Sequence, residues 1–134
     1  MKVHGACHCG AVAYEAEVDP ARVTVCHCND CQSFSGAAFR ASVPAKAEDL
    51  RIVRGAPKVY VKTAENGNRR AQGFCGDCGS PIYSAAAEGA KVYMLRLGIV
   101  AERDRLPPQR QIWCEAALPW SRELLDLPKI EKQS

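Results

Sequence analysis

Apolar and polar residues alternate along much of this chain with a period of two. In VAYEAEV (Val12–Val18), Val12, Tyr14, Ala16 and Val18 fall on one side, and Glu15 and Glu17 on the other. That period marks a strand with one face buried. RVTVCHC (Arg22–Cys28) is rich in β-branched residues, and AFRASV (Ala38–Val43) alternates Phe39, Ala41 and Val43 with Arg40 and Ser42. LRIVRG and KVYVKT continue the pattern, and Asn66-Gly67 within ENGN (Glu65–Asn68) is a strong turn signal. KVYMLRLGIV (Lys91–Val100) is the longest apolar strand candidate, and RQIWCEAALPW (Arg110–Trp120) closes the sheet region. Helical periodicity is thin. NDCQSFSG predicts a single turn capped by Asn29 or Asp30 and stopped by Gly36, and WSRELLDL (Trp120–Leu127) a short helix between Pro119 and Pro128. Short strands separated by turn residues predict a mainly β, antiparallel fold with few helical turns. The 134 residues suit one domain, 1–134, with no repeat or long linker.

Seven of the eight cysteines interrupt this pattern in three tight groups: CHC at Cys7–Cys9, CHCNDC at Cys26–Cys31 and CGDC at Cys75–Cys78. Such spacings suit a metal better than structural disulfides. A Cys-x-x-Cys turn directs two sulfurs at one ion, and Gly76 and Gly79 ease the backbone around Cys75 and Cys78. In Cys-x-Cys, strand periodicity sends both thiols to one face. Cys7, Cys9, Cys75 and Cys78 therefore make a four-thiolate structural zinc site. Cys26, Cys28 and Cys31 are left as three ligands for a second zinc. Three protein ligands and an open position is a catalytic arrangement. Spacing alone leaves two alternatives: Cys114, His4, His8 or His27 completes the shell, or Cys7 and Cys9 pair with the central group. His8 and His27, between cysteines, are expected to point away from the metal. Cys114, after Trp113, reads as a buried free thiol.

Metal changes the meaning of the charge. Binding seven thiolates to two Zn²⁺ adds a net −3, which cancels the formal +3. With Asn68–Arg70, Arg103, Arg105 and Arg110 scattered, a nucleic-acid partner is not expected. No apolar run reaches the ~18 residues of a membrane span, and the N-terminus lacks an apolar leader. The expectation is a cytoplasmic protein without a membrane partner.

The motifs GACHCGAVAYE, CHCNDCQSFSGAAF, GFCGDCGSPIY and RQIWCEAALPW, in this order, resemble the glutathione-dependent formaldehyde-activating enzyme family, also called the GFA or centromere-protein-V domain. The resemblance implies a β-tent architecture like that of methionine sulfoxide reductase B. It also implies the same division of cysteines, with Cys7, Cys9, Cys75 and Cys78 on a structural zinc and Cys26, Cys28 and Cys31 on a zinc at the substrate site. The implied activity is a carbon–sulfur lyase reaction, the addition of glutathione to formaldehyde. Family members often carry His where this chain has Gln111.

A coordinated thiol loses its proton near neutral pH, although a free one titrates near ~8.5. The developing alkoxide then needs a donor. The central loop offers the Gln32 amide, the Ser33 and Ser35 hydroxyls and the Gly36 N–H as candidate substrate contacts. Their other reading is a helix cap and stop. Two further functions fit the residues: a zinc-stabilised module that binds a protein or nucleic acid, and a redox or metal sensor using Cys26, Cys28 and Cys31.

Overall fold

Alternation becomes two sheets. The structure, a computed structural model, describes residues 1–133. Strands β1 (Lys2–Ala6), β2 (Ala13–Glu17) and β5 (Leu50–Arg54) form a three-stranded antiparallel sheet in the order β1-β2-β5. The larger sheet has seven strands: β3 (Thr24–Cys26), β4 (Arg40–Lys46), β6 (Lys58–Thr63), β7 (Arg69–Phe74), β8 (Pro81–Ala86), β9 (Val92–Arg96) and β10 (Arg110–Ile112). Its order is β10-β3-β4-β9-β8-β7-β6, antiparallel except where β10 runs parallel to β3. One α-helix, α1 (Asn29–Ser35), follows β3. This is the mainly β architecture that the pattern predicts.

The core lies between the sheets. Val12, Tyr14, Ala16 and Val18 are buried as their alternation requires, and they pack with Val3, Val43, Ile82, Leu95, Val100 and Leu106. Glu15 stays at the surface, where Lys2 and Arg51 hold its carboxyl below the usual range. A bridge between Gly5 and Val100 fastens the small sheet to the segment after β9. No helix among the described residues is long and apolar enough to cross a membrane.

Several elements are shorter than the sequence implies. The Lys91–Val100 run is a strand only to Arg96, and Leu97–Ile99 turns as a 3-10 helix around Gly98. The closing segment pairs only through Ile112, because Trp113 adopts a left-handed φ of 56° that takes the chain off the sheet. Trp120–Leu127 is not one helix but two 3-10 turns, Pro119–Arg122 and Leu124–Asp126. So short a segment gains too little from its own hydrogen bonds. It also lacks a surface to bury Leu125 or Ile130, which are exposed.

β4 departs most from expectation. It is buried on both sides, with Arg40 and Ser42 buried along with Val43 and Ala45. It is a central strand, between β3 and β9, and α1 lies close to it. Its polar positions therefore face a roofed space rather than bulk water.

Candidate metal centres

The first cluster forms where two turns meet. CHC is not a strand: the chain leaves β1 at Ala6, and Gly10 N–H bonds back to the Cys7 carbonyl at 3.0 Å. The turn, rather than strand periodicity, brings Cys7 and Cys9 together. After β7, Gly79 N–H reaches the Cys75 carbonyl and Cys75 N–H reaches Ser80, both at 2.9 Å. Gly10 and Gly79 sit at φ 81° and 79°, values that a side chain would strain.

Cys7, Cys9, Cys75 and Cys78 place all four sulfurs within 4.8 Å of one another. Cys7–Cys9 and Cys9–Cys75 are each 3.7 Å apart. Zn–S bonds of about 2.3 Å in a tetrahedron require sulfurs roughly 3.8 Å apart, whereas a disulfide needs about 2.05 Å. The spacing fits a shared ion. Backbone donors already point at the sulfurs: Val12 N–H at Cys7 (3.2 Å) and Asp77 N–H at Cys75 (3.4 Å). The Val12 bond draws the Cys7 thiol down, and Ser80 brings Cys78 down to about 5. Such bonds favour thiolates, the form that binds metal.

The second cluster is local. β3 delivers Cys26, and the chain leaves the sheet at His27, whose N–H bonds to the Ile112 carbonyl at 3.1 Å. Cys28 then caps α1, its sulfur accepting from Cys31 N–H at 3.3 Å. The cap is thus Cys28, not Asn29 or Asp30. Gly36, at φ 65°, closes the helix as expected. The sulfurs of Cys26, Cys28 and Cys31 also lie within 4.8 Å of one another. Burial pushes Cys31 up to about 12, with Cys26 adding to it, and burial also raises Cys26. Burial works against ionisation of Cys28 too, but the bonds from the Cys31 N–H and from the Cys31 and Cys26 thiols together outweigh it, and the thiol is lowered. Three crowded thiols cannot all ionise alone; a cation removes that conflict.

No fourth His, Cys, Asp or Glu joins this cluster among the described residues. His4 is engaged by Glu102 at 2.9 Å, and His8 lies exposed. Cys114 is exposed as well, which corrects the expectation of a buried thiol. The turn that begins at Trp113 lifts it off the sheet. His27 is buried, with Nε2 2.7 Å from Gln111 Oε1 and Nδ1 unpartnered. With the amide oxygen accepting, Nε2 carries the proton and Nδ1 keeps its lone pair. Gln111 thus positions the imidazole.

The loop donors are engaged in holding the loop. Gln32 Nε2 donates to the His27 carbonyl (2.8 Å) and the Ala116 carbonyl (3.2 Å). Ser35 Oγ donates toward the Gln32 and Phe39 carbonyls, and Gly36 N–H is taken by Gln32 O at 2.9 Å. Ser33 is exposed on α1. The contacts of Gln32, Ser35 and Gly36 are those of the helix cap, stop and brace that the sequence also offers. Sequence reasoning missed Arg40 and Arg96, both buried near this cluster. Their signal was a charge on a strand with strands on either side.

The sequence matches the family described as "GFA: Glutathione-dependent formaldehyde-activating enzyme" over residues 2–116. The fold is similar to the crystal structure of a Rhodobacter sphaeroides protein, a structural-genomics target, at 27% identity and a TM-score of 0.62. That likeness covers 83% of this chain and 99% of the other. No curated protein matches the sequence significantly. A match across most of the chain, over the same cysteine motifs that build both clusters, makes this protein a member of the GFA family.

Proposed function

We propose that the protein is a zinc-dependent carbon–sulfur lyase that adds a small thiol, glutathione or a relative, to formaldehyde or another small carbonyl. The observation that carries this reading is the three-sulfur cluster, which no fourth His, Cys, Asp or Glu joins among the described residues. Cys26, Cys28 and Cys31 would hold one zinc, and Cys7, Cys9, Cys75 and Cys78 the other. A zinc held by three thiolates supplies an open position that acidifies a substrate thiol.

In the reaction, the thiol sulfur forms a bond to the carbonyl carbon. The carbonyl π pair moves to oxygen, and the thiol proton ends there, giving a hydroxymethyl thioether. His27 lies between Cys26 and Cys28 in the chain, and its unpartnered Nδ1 lone pair would hold that proton. Gln111 fixes which nitrogen does so. Gln32 ties the cysteine loop to Ala116, so the cluster keeps its shape. The family's frequent His at the Gln111 position is replaced here by a group that orients a base rather than acting as one.

The test is exchange of ¹³C-formaldehyde with its glutathione adduct, followed by NMR exchange spectroscopy on protein of measured zinc content. Catalytic amounts of protein with two zincs per chain accelerate the exchange, and Cys28→Ser abolishes the acceleration. Exchange at the uncatalysed rate with both sites filled refutes the proposal.

A further inference from the structure

The seven-stranded sheet buries a second face. Following the strand register, Arg40, Ser42, Arg96, Ser84, Gln72 and Tyr60 project from the side opposite Val43 and Leu95. Of these, Arg40, Ser42, Ser84 and Arg96 are buried. Helix α1 roofs the face. Asp30 pairs with Lys62 of β6, Phe34 meets the Tyr60 ring at 6.1 Å, and the Arg40 guanidinium lies 5.5 Å from the Phe34 centroid. Phe34, Arg40, Tyr60, Gln72, Tyr83 and Arg96 line a cavity there of about 260 Å³.

Two guanidiniums in this cavity are under-partnered. Arg40, 9% exposed, donates from Nη1 to Gln72 Oε1 at 3.0 Å, but its buried Nε–H has no acceptor. Arg96, 5% exposed, donates from Nη1 to Ser42 Oγ, while its buried Nη2 has none. Neither forms an ion pair with a carboxylate among the described residues. Burial, with Arg40 beside it, lowers Arg96 to about 9, which leaves it charged at neutral pH. Isolated buried charge is costly unless compensated.

The three-cysteine cluster compensates only part. Cys26 pairs with Arg40 across β3 and β4, and Cys31 feels both guanidiniums. Three thiolates on a dication carry one negative charge against two positive. The unused donors are N–H groups, and planar guanidinium forks match carboxylate oxygens.

We propose that the Arg40–Arg96 cavity is a carboxylate subsite beside the three-cysteine cluster, so that the thiol substrate is one that carries its own carboxylate. This rests on reading the cluster as the thiol site. Phe34 and Tyr60 supply apolar walls for the stem between the two groups. The cavity has room for a carboxylate and a short carbon stem.

The experiment titrates 3-mercaptopropionate and its methyl ester into the metal-loaded full chain by calorimetry, with metal content measured alongside. The acid is expected to bind at least about tenfold more tightly than the ester. Arg40→Gln and Arg96→Gln should each remove that preference with metal content unchanged. Equal binding of acid and ester at two metals per chain overturns the subsite while leaving the thiol site standing. One metal per chain instead breaks the underlying reading, and propionate, which needs no metal, then tests the cavity alone. If the arginine variants fail to fold, the Arg40 Nε–H resonance of the ¹⁵N-labelled wild type serves. A shift on adding propionate supports the subsite, and an unmoved resonance overturns it. Propionate that displaces 3-mercaptopropionate supports the same carboxylate contact, and an ester displaced equally well by propionate counts against it.

Discussion

Cys9 and Cys75 are 66 residues apart, while Cys26 and Cys31 belong to one six-residue stretch. The two clusters use the same ligand chemistry for different physical ends. Closing the long loop costs roughly 2 kcal/mol more chain entropy than closing the short one, by the logarithmic dependence on loop length. An ion bridging the distant turns therefore restrains the unfolded chain and clips β1 to the β7–β8 turn. An ion on the local cluster restrains little that α1 and β3 do not already hold. On the proposed function its contribution lies in chemistry, and its ligand count points the same way: four sulfurs enclose an ion, three leave it reachable.

The largest effect should come from breaking the distant cluster. Cys78→Ser removes one of four ligands, and a structural zinc contributes about 10–16 kcal/mol of apparent binding energy in small domains. Total stability is typically only about 5–15 kcal/mol. The variant should lose cooperative thermal unfolding, or melt at least about 20 °C lower, when followed by circular dichroism. A melt within a few degrees of wild type would erase the contrast from the structural side.

Cys28→Ser should act in the opposite way. Serine is itself a good helix N-cap, so the bond to Cys31 N–H survives and α1 is retained. One of two metals should be lost by elemental analysis, the melting temperature should move by less than about 5 °C, and thiol–formaldehyde exchange should fall at least about 100-fold. Cys28→Ala separates the two roles of the residue. It should lose the same metal and a further ~1 kcal/mol, measured by denaturant titration, through the missing cap. If Cys28→Ser unfolds as Cys78→Ser does, both ions are structural.

Much of this contrast is legible in the sequence. The alternation in Val12–Val18 locates the core face of β2, because one side of that sheet meets solvent and the other does not. The three cysteine groups declare themselves as metal ligands, since ligand spacing is a local property, but which groups share an ion depends on the fold. Features that depend on distant packing are harder to read. Arg40 and Ser42 follow the same alternation as Glu15 and Glu17, yet they are buried. Nothing local says that α1 will fold over β4. Cys114 lies in an apolar run and still ends exposed, because a left-handed Trp113 redirects the chain. Gln32 and Ser35 are donors near the three-cysteine cluster, but backbone carbonyls from Ala116 and Phe39 claim them. Periodicity gives each residue a side; only the assembled sheets decide what that side faces.

Metal removal should sharpen the comparison at intermediate scale. A graded chelator titration should extract one ion first, with little change in the far-ultraviolet spectrum, and the second only with unfolding. Protein with Cys28→Ser should show the second phase alone. Simultaneous loss of both ions and of the fold would show that the clusters are energetically one unit.

A smaller effect is expected at Gln111. Gln111→Ala leaves His27 Nε2 without its 2.7 Å partner and lets the ring change tautomer. Exchange activity should drop about tenfold, with metal content retained. Gln111→Glu, which also accepts from Nε2, should restore most of it. Equal losses in both variants would assign Gln111 to packing rather than to orientation of the base.

The smallest expected change is the most exacting check on ligand count. Cys114 follows the parallel β10–β3 pair, so a modest rotation of its turn could bring it toward Cys26. In the structure it is exposed and outside both sulfur groups. Cys114→Ser should therefore leave two metals per chain, the melting temperature and the exchange rate unchanged within error. In the wild type, Cys114 should be the first cysteine labelled by iodoacetamide, identified by mass spectrometry after digestion, since the other seven are shielded as ligands. Loss of one metal in Cys114→Ser, or protection of Cys114 that disappears only on chelation, would make the local cluster a closed four-thiolate site. The open position would then be gone, and the two clusters would differ only in where their ligands come from.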